Sequence, residues 1–290
     1  MRRIAALFVI ALQLVVVGVF AQEDDLNVLA RYAIDEAGEL SLISGEEDPS
    51  HEDLWIQLVS LLPTDYIDQY LYEFAVFESE DTLAYVSELE EEVWEFGVAI
   101  DDDPERALTI IHEFGHILAL NNTQYDTYPS VLQDRAGELS EDEYAAALDE
   151  DMAACSTIAF DDGCPVADSY IQLFTETFWT TEAVEMIVYE ELDDSAAYFF
   201  DENPDGFVSE YAATNPIEDF AESFSYFVGL DDDMLPVDGE ASVVEAKILW
   251  FDQFPELAEL RISVREAADL NGIAFVFGED SNYPWRAPEG

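Results

Sequence analysis

The sequence predicts an α+β domain, mostly helical, with a small sheet packed against one buried helix, and three observations carry that prediction. Half of the 290 residues are hydrophobic and 13% are aromatic, ample for a packed core even though the formal net charge is −58. Runs with strand character concentrate before residue 103, and runs with helical period dominate after it. A few strands followed by mostly helices is the element order of an α+β domain.

The first segment reads as an address. Arg2 and Arg3 precede an apolar run from Ile4 to Phe20, and Val19-Phe20-Ala21 supplies a small residue before Gln22, the layout of a secretory signal over residues 1–21. The same run approaches the roughly 20 apolar residues that span a bilayer, so an uncleaved membrane anchor is the competing reading. Residues 22–103 then form an N-terminal α/β part. Helices are expected near 52–62 and 65–74, with extended runs near 83–86 and 93–100. Ser50 is placed to cap the first helix, which puts His51 in an exposed first turn and argues against it as a metal ligand.

Residues 104–290 form the rest of the domain and open on its most apolar helix. Asp103 suits the N-cap, Pro104 the first helical position and Glu105 the first turn, where negative charge is favoured. The helix should run to about Leu120, with Asn121 and Asn122 offering a left-handed stop. Leu108, Ile111, Phe114, Ile117 and Leu118 cover most of its circumference, which means burial on nearly all sides. Further helices are expected at 140–154, 169–178, 181–192, 217–228 and 243–270, the last broken near Pro255, with loops around Gly206, 231–233 and Gly239. The acid triplets at 101–103 and 231–233 lack EF-hand spacing and read as solvated turns rather than calcium loops.

That buried helix contains His112-Glu113-Phe114-Gly115-His116, and so two of the chain's 3 histidines. Residues four apart share one helical face, so the two imidazoles can converge on one Zn²⁺, and Glu113 beside them can take a proton from water. A buried helix can also hold two hydrogen-bonded histidines with no metal. Burying two imidazoles and a carboxylate costs several kcal/mol unless hydrogen bonds or a metal satisfy them, which favours the metal.

A tetrahedral site needs a third protein ligand besides a water position. The metzincin pattern is absent, because Ala119 and Asn122 stand where its glycine and third histidine belong. A carboxylate is therefore expected. In Asn215-Pro216-Ile217-Glu218-Asp219-Phe220-Ala221-Glu222, Asn215 can cap, Pro216 can start a helix, and Glu218 and Glu222 lie one turn apart. One acid can reach the metal while the other holds a ligand histidine by its second ring nitrogen. Asn215-x-x-Glu218 also fits a capping box, in which Glu218 bonds only backbone, and Glu222 is then the alternative ligand.

His112-Glu113-Phe114-Gly115-His116, followed much later by Tyr211-x-x-Thr214-Asn215-x-x-Glu218-x-Phe220-Ala221-Glu222-x-Phe224, resembles the gluzincin metallopeptidases, most closely the catalytic domain of anthrax lethal factor and its bacterial relatives. The resemblance covers these two short motifs and implies a zincin-like fold. It further implies one zinc per chain held by His112, His116 and Glu218, Glu113 as general base, and Tyr211 as the hydroxyl that stabilises the oxyanion.

Composition narrows location and partners. Against 67 acidic residues stand 9 basic ones, with Lys247 the only lysine, and loss of Arg2 and Arg3 with the signal would deepen the imbalance. Such a surface repels nucleic acid and anionic membranes. It suits high salt, where self-repulsion is screened; the competing reading is that it draws cationic peptides to the site. Cys155 and Cys164 are the only cysteines, and Gly163 and Pro165 mark the turn that would let them pair. Closing so small a loop would stabilise by about 2–3 kcal/mol, and two free buried thiols are the alternative. The expectation is a secreted or extracytoplasmic zinc metallopeptidase acting on a peptide or protein substrate; its rival is an exported binding protein of the same fold, with structural or no metal and no turnover.

Overall fold

The computed structural model describes residues 26–79, 82–90, 93–189, 195–235, 242–278 and 281. The expected signal and the loop at Gly239 lie outside these residues. Among the described residues no helix is long and apolar enough to cross a membrane.

The architecture is α+β. Five strands, β1 (Asn27–Ile34), β2 (Leu40–Gly45), β3 (Leu71–Glu78), β4 (Ala84–Glu90) and β5 (Val93–Ala99), form one mixed sheet in the order β2-β1-β3-β5-β4. Only β3 and β5 run parallel. Phe74, Val76, Val86, Phe96 and Val98 point into the main core, while Ala75, Phe77, Tyr85 and Ala99 fill a smaller cluster on the opposite face. Being covered on both faces, β3 reads as an almost continuous apolar run. This corrects the helix expected at 65–74: α2 (Thr64–Tyr70) ends where β3 begins, because burial in the sheet outweighs the local helical period.

The preceding helix, α1 (Pro49–Val59), brings a second correction. Its cap is Asp48, whose carboxylate accepts the Ser50 N–H at 2.9 Å, with Pro49 in the first helical turn. Starting the helix earlier than a Ser50 cap would turns His51 inward, where it is only 3% exposed and its Nδ1 lies 2.7 Å from the Tyr32 hydroxyl. His51 thus belongs to the contact between α1 and β1.

From the sheet the chain enters α3 (Arg106–Leu120), whose residues from Ala107 to Leu120 are buried apart from Thr109. Asp103 does not cap it directly. Its Oδ1 instead accepts the Glu105 N–H at 2.9 Å, shaping the turn that leads in. Asn121 does not stop α3 in a left-handed conformation either; its φ is −63° and ψ 159°, and its side-chain amide donates to the carbonyls of Ile117 and Leu118. A side chain therefore satisfies the last carbonyls in place of the backbone reversal.

An insert follows, made of β6 (Tyr125–Thr127), α4 (Pro129–Arg135), α5 (Glu141–Ala154) and β7 (Gly163–Pro165), with β6 antiparallel to β7. The Cys155–Cys164 disulfide joins the end of α5 to β7. Next come α6 (Tyr170–Phe178), α7 (Thr181–Tyr189) and α8 (Ser195–Glu202), then α9 (Pro216–Gly229), α10 (Val243–Trp250) and α11 (Pro255–Asn271). The turn Phe251–Gln253 and Pro255 separate the last two helices, as the proline requires. Phe174, Phe220, Phe224, Trp250 and Phe251 interlock edge to face and anchor α9 among α6 and α10.

The fold's central contact is α3 against α9. A Cβ added to Gly115 would sit 3.0 Å from Ala221 Cα, so the two backbones approach as closely as a missing side chain permits.

Candidate metal centre

Each half of the centre is set by local sequence. On α3, the four-residue spacing puts His112 and His116 on one face, with their Nε2 atoms 3.0 Å apart. On α9, Asn215 caps the helix by accepting the N–H groups of Ile217 and Glu218 at 2.9 Å each, with Pro216 at the start. That cap leaves the Glu218 carboxylate turned to the histidines, where its Oε2 lies 3.3 Å from both Nε2 atoms.

These separations test whether a zinc ion fits. Zinc bonds of about 2.0–2.2 Å in a tetrahedron place neighbouring donor atoms about 3.3–3.6 Å apart. Distances of 3.0, 3.3 and 3.3 Å among His112, His116 and Glu218 form a triangle close to one face of such a tetrahedron, a few tenths of an ångström tighter between the two histidines. Among the described residues Glu218 Oε2 is buried without a well-aligned hydrogen-bond partner, an arrangement that is costly unless a cation satisfies it. Glu113 also offers an oxygen within 4.8 Å of the two histidines, but Glu218 sits against both nitrogens and is the better third donor.

Around the donors, His112 Nδ1 lies 2.8 Å from Glu222 Oε1. The nitrogen donates, because an ionised carboxylate only accepts, and the ring held in this way turns its Nε2 toward His116 and Glu218. Glu222 Oε2 in turn accepts the Ser209 hydroxyl at 2.6 Å. His116 Nδ1 is buried and has no hydrogen-bond partner among the described residues.

The electrostatics agree with a cation at this place. Burial opposes charge on His112, yet the carboxylates of Glu218 and Glu222, which accept from it, outweigh burial and raise its pKa well above the usual value. Burial also opposes charge on Glu218, yet His116 and His112 hold its carboxyl well below the usual range. Glu113 moves the other way, raised by burial against the lowering effect of the two histidines, while it accepts the N–H of Val86 on β4. Tyr211 exposes 54% of its surface, but its hydroxyl end faces acids: the charge of Glu218 and then burial push its pKa well above 10. Its ring lies 5.8 Å from that of His112.

His112, Glu113, His116, Glu218, Glu222 and Tyr211 are thus brought together, and His51 is not. At the acid triplet 231–233, Asp231 pairs with Arg265 and Asp232 with Arg261. Sequence reasoning missed Ser209, which has no periodic relation to Glu222, and Val86, whose role is a backbone one. It also missed Lys247, whose ammonium lies 2.6 Å from Asp219, the neighbour of Glu218, and 3.8 Å from the centroid of Phe207. A lone lysine in the apolar stretch Val243-Val244-Glu245-Ala246-Lys247-Ile248-Leu249-Trp250 was the available signal.

Comparison with protein-family models, with curated proteins and with solved structures finds no match, so the reading of this centre rests on its own residues.

Proposed function

We propose that the protein is an exported zinc-dependent endopeptidase of the gluzincin kind, with a zincin-like catalytic domain. The observation that carries this reading is the set of three donor atoms of His112, His116 and Glu218, mutually 3.0 to 3.3 Å apart, with Glu113 beside them. A zinc ion held there would supply Lewis acidity, polarising a scissile carbonyl and acidifying water. Glu113 accepts the proton of the attacking water and returns it to the leaving amine; burial raises its pKa, which makes the carboxylate a better base than an exposed one. The Tyr211 hydroxyl, kept protonated by the acids around it, donates to the oxyanion that develops on the carbonyl. Glu222 fixes the tautomer of His112.

The surroundings favour a peptide substrate. β4 ends the sheet order and reaches Glu113 through the Val86 N–H, so an extended chain laid along that edge would pass the centre. The described cations, Arg31, Arg106, Arg135, Lys247, Arg261 and Arg265, are each engaged by an acid or a backbone carbonyl elsewhere. None is offered to a terminal carboxylate at the centre, which favours internal bonds.

The test is the metal content of purified protein by elemental mass spectrometry, followed by hydrolysis of casein and a peptide library. One zinc per chain is expected in the wild type, lost in His112→Ala and Glu218→Ala. Glu113→Gln should keep its zinc and lose at least about a hundredfold in turnover. Equal turnover in Glu113→Gln and wild type would overturn the reading.

A further inference from the structure

We propose that Ser209 is a positioning residue of the metal centre, whose single hydroxyl ties the orientation of His112 to the placement of Tyr211; the inference rests on the zinc reading above.

Ser209 is 7% exposed and lies just before the one-turn 3-10 helix Tyr211–Ala213. Its Oγ makes two bonds of forced direction. A backbone N–H can only donate, so the hydroxyl oxygen accepts from Ala212 N–H at 3.0 Å. A carboxylate can only accept, so the hydroxyl proton goes to Glu222 Oε2 at 2.6 Å. Glu222 Oε1 takes the proton of His112 Nδ1 at 2.8 Å. The chain therefore runs without a break from the turn that bears Tyr211, through Ser209 and Glu222, to the ring of His112.

Two features make this chain matter more than one hydrogen bond would. The terminal torsion of a glutamate is soft, so a carboxylate held at one oxygen can swing, whereas one held at both cannot do so without losing a partner. Among the described residues His116 Nδ1 has no hydrogen-bond partner, so of the two Nδ1 atoms only that of His112 is held by one. Lys247 braces the same segment from its other side: Phe207, two residues before Ser209, lies 3.8 Å under its ammonium, which pairs with Asp219 beside Glu218. The stretch that carries Tyr211 is thus fastened to α9 at two places, and Ser209 is the one that leads through Glu222 to His112.

The competing role is a local one, in which Ser209 merely closes the turn at Ala212 and the contact with Glu222 is incidental. Three variants of the full chain separate the two: Ser209→Ala removes the hydroxyl, Ser209→Thr keeps it, and Ser209→Cys keeps a weak donor of similar size. Zinc affinity is measured by competition with a chromophoric chelator, the visible absorption of the Co²⁺-loaded protein reports ligand geometry, and the melting temperature of metal-free protein reports the fold. Ser209→Ala is expected to weaken zinc binding about tenfold and alter the Co²⁺ spectrum, with a smaller loss in metal-free melting temperature from the Ala212 N–H it leaves unpaired. Ser209→Thr should restore both metal readouts. Wild-type affinity and spectrum in Ser209→Ala would overturn the inference while leaving the zinc reading intact, and so would a loss of affinity accompanied by an equal loss of metal-free stability. A wild type that binds neither ion would overturn both readings. Should Ser209→Ala fail to fold, Ser209→Cys carries the comparison: intermediate affinity supports the inference and wild-type affinity refutes it.

Discussion

Asp161 and Asp162 lie side by side in the loop closed by the disulfide, and neither can carry charge there cheaply. Burial and then the charge of Asp162 push Asp161 up to about 7. The proton settles on Asp161 because Asp162 already receives the Tyr125 hydroxyl and faces Arg135. The folded-state pKa lies above the unfolded value, so between the ordinary aspartate value of 3.8 and about 7 the folded chain holds a proton that the unfolded chain has lost. Stability from this site therefore falls as pH rises across that window and is flat above it. Asp161→Asn should remove the dependence. We expect its melting temperature to exceed that of the wild type by a few degrees at pH 8 and by progressively less toward pH 4, at roughly 2–4 °C per kcal/mol for a domain of this size. A constant difference between the two proteins across that range would refute the assignment.

At the scale of elements, the centre depends on how closely α3 and α9 approach. Replacing Gly115 by alanine should gain about 0.5–1 kcal/mol of helix propensity, because glycine is costly inside a helix. The added methyl would meet Ala221 Cα at 3.0 Å and Cβ at 3.4 Å, backbone and stem atoms with no freedom to rotate away. Overpacking of that kind costs about 1–3 kcal/mol, so the clash outweighs the propensity. Gly115→Ala should lose net stability in urea and bind zinc more weakly, since the shift moves Glu218 and Glu222 together. A more stable variant with unchanged zinc affinity would show that the approach is slack. The two helices were also the most legible parts of the chain. Helical period, the Asn215-Pro216 start and the four-residue spacings are local signals, and they located His112, Glu113, His116, Glu218 and Glu222. What stayed hidden was non-local: β3 is a strand because the sheet covers both its faces, His51 is buried because α1 starts at Asp48, and Ser209 meets Glu222 only through the fold.

For the whole molecule, the distribution of charge sets a condition for stability. The chain has 67 acidic and 9 basic residues. The described cations are spent inside the structure: Arg31 on Glu95, Arg135 on Glu88, Lys247 on Asp219, and Arg261 and Arg265 on Asp232 and Asp231. Arg106 serves the carbonyl of Asp101, at the entry to α3. The remaining surface acids therefore repel one another with little compensation, and folding brings them closer together. Dissolved ions shorten the reach of that repulsion from about 10 Å at 0.1 M to about 3 Å at 1 M. The melting temperature should climb steeply between 0.05 and about 0.5 M salt and flatten above it. Screening depends on ionic strength and not on the identity of the anion, so sodium chloride and sodium perchlorate should give the same rise at the low end, parting only where perchlorate begins to weaken apolar burial. A melting temperature that ignores salt below 0.5 M would mean that the acids lie too far apart to interact. A rise with chloride but not perchlorate would mean that the salt acts on the hydrophobic core instead.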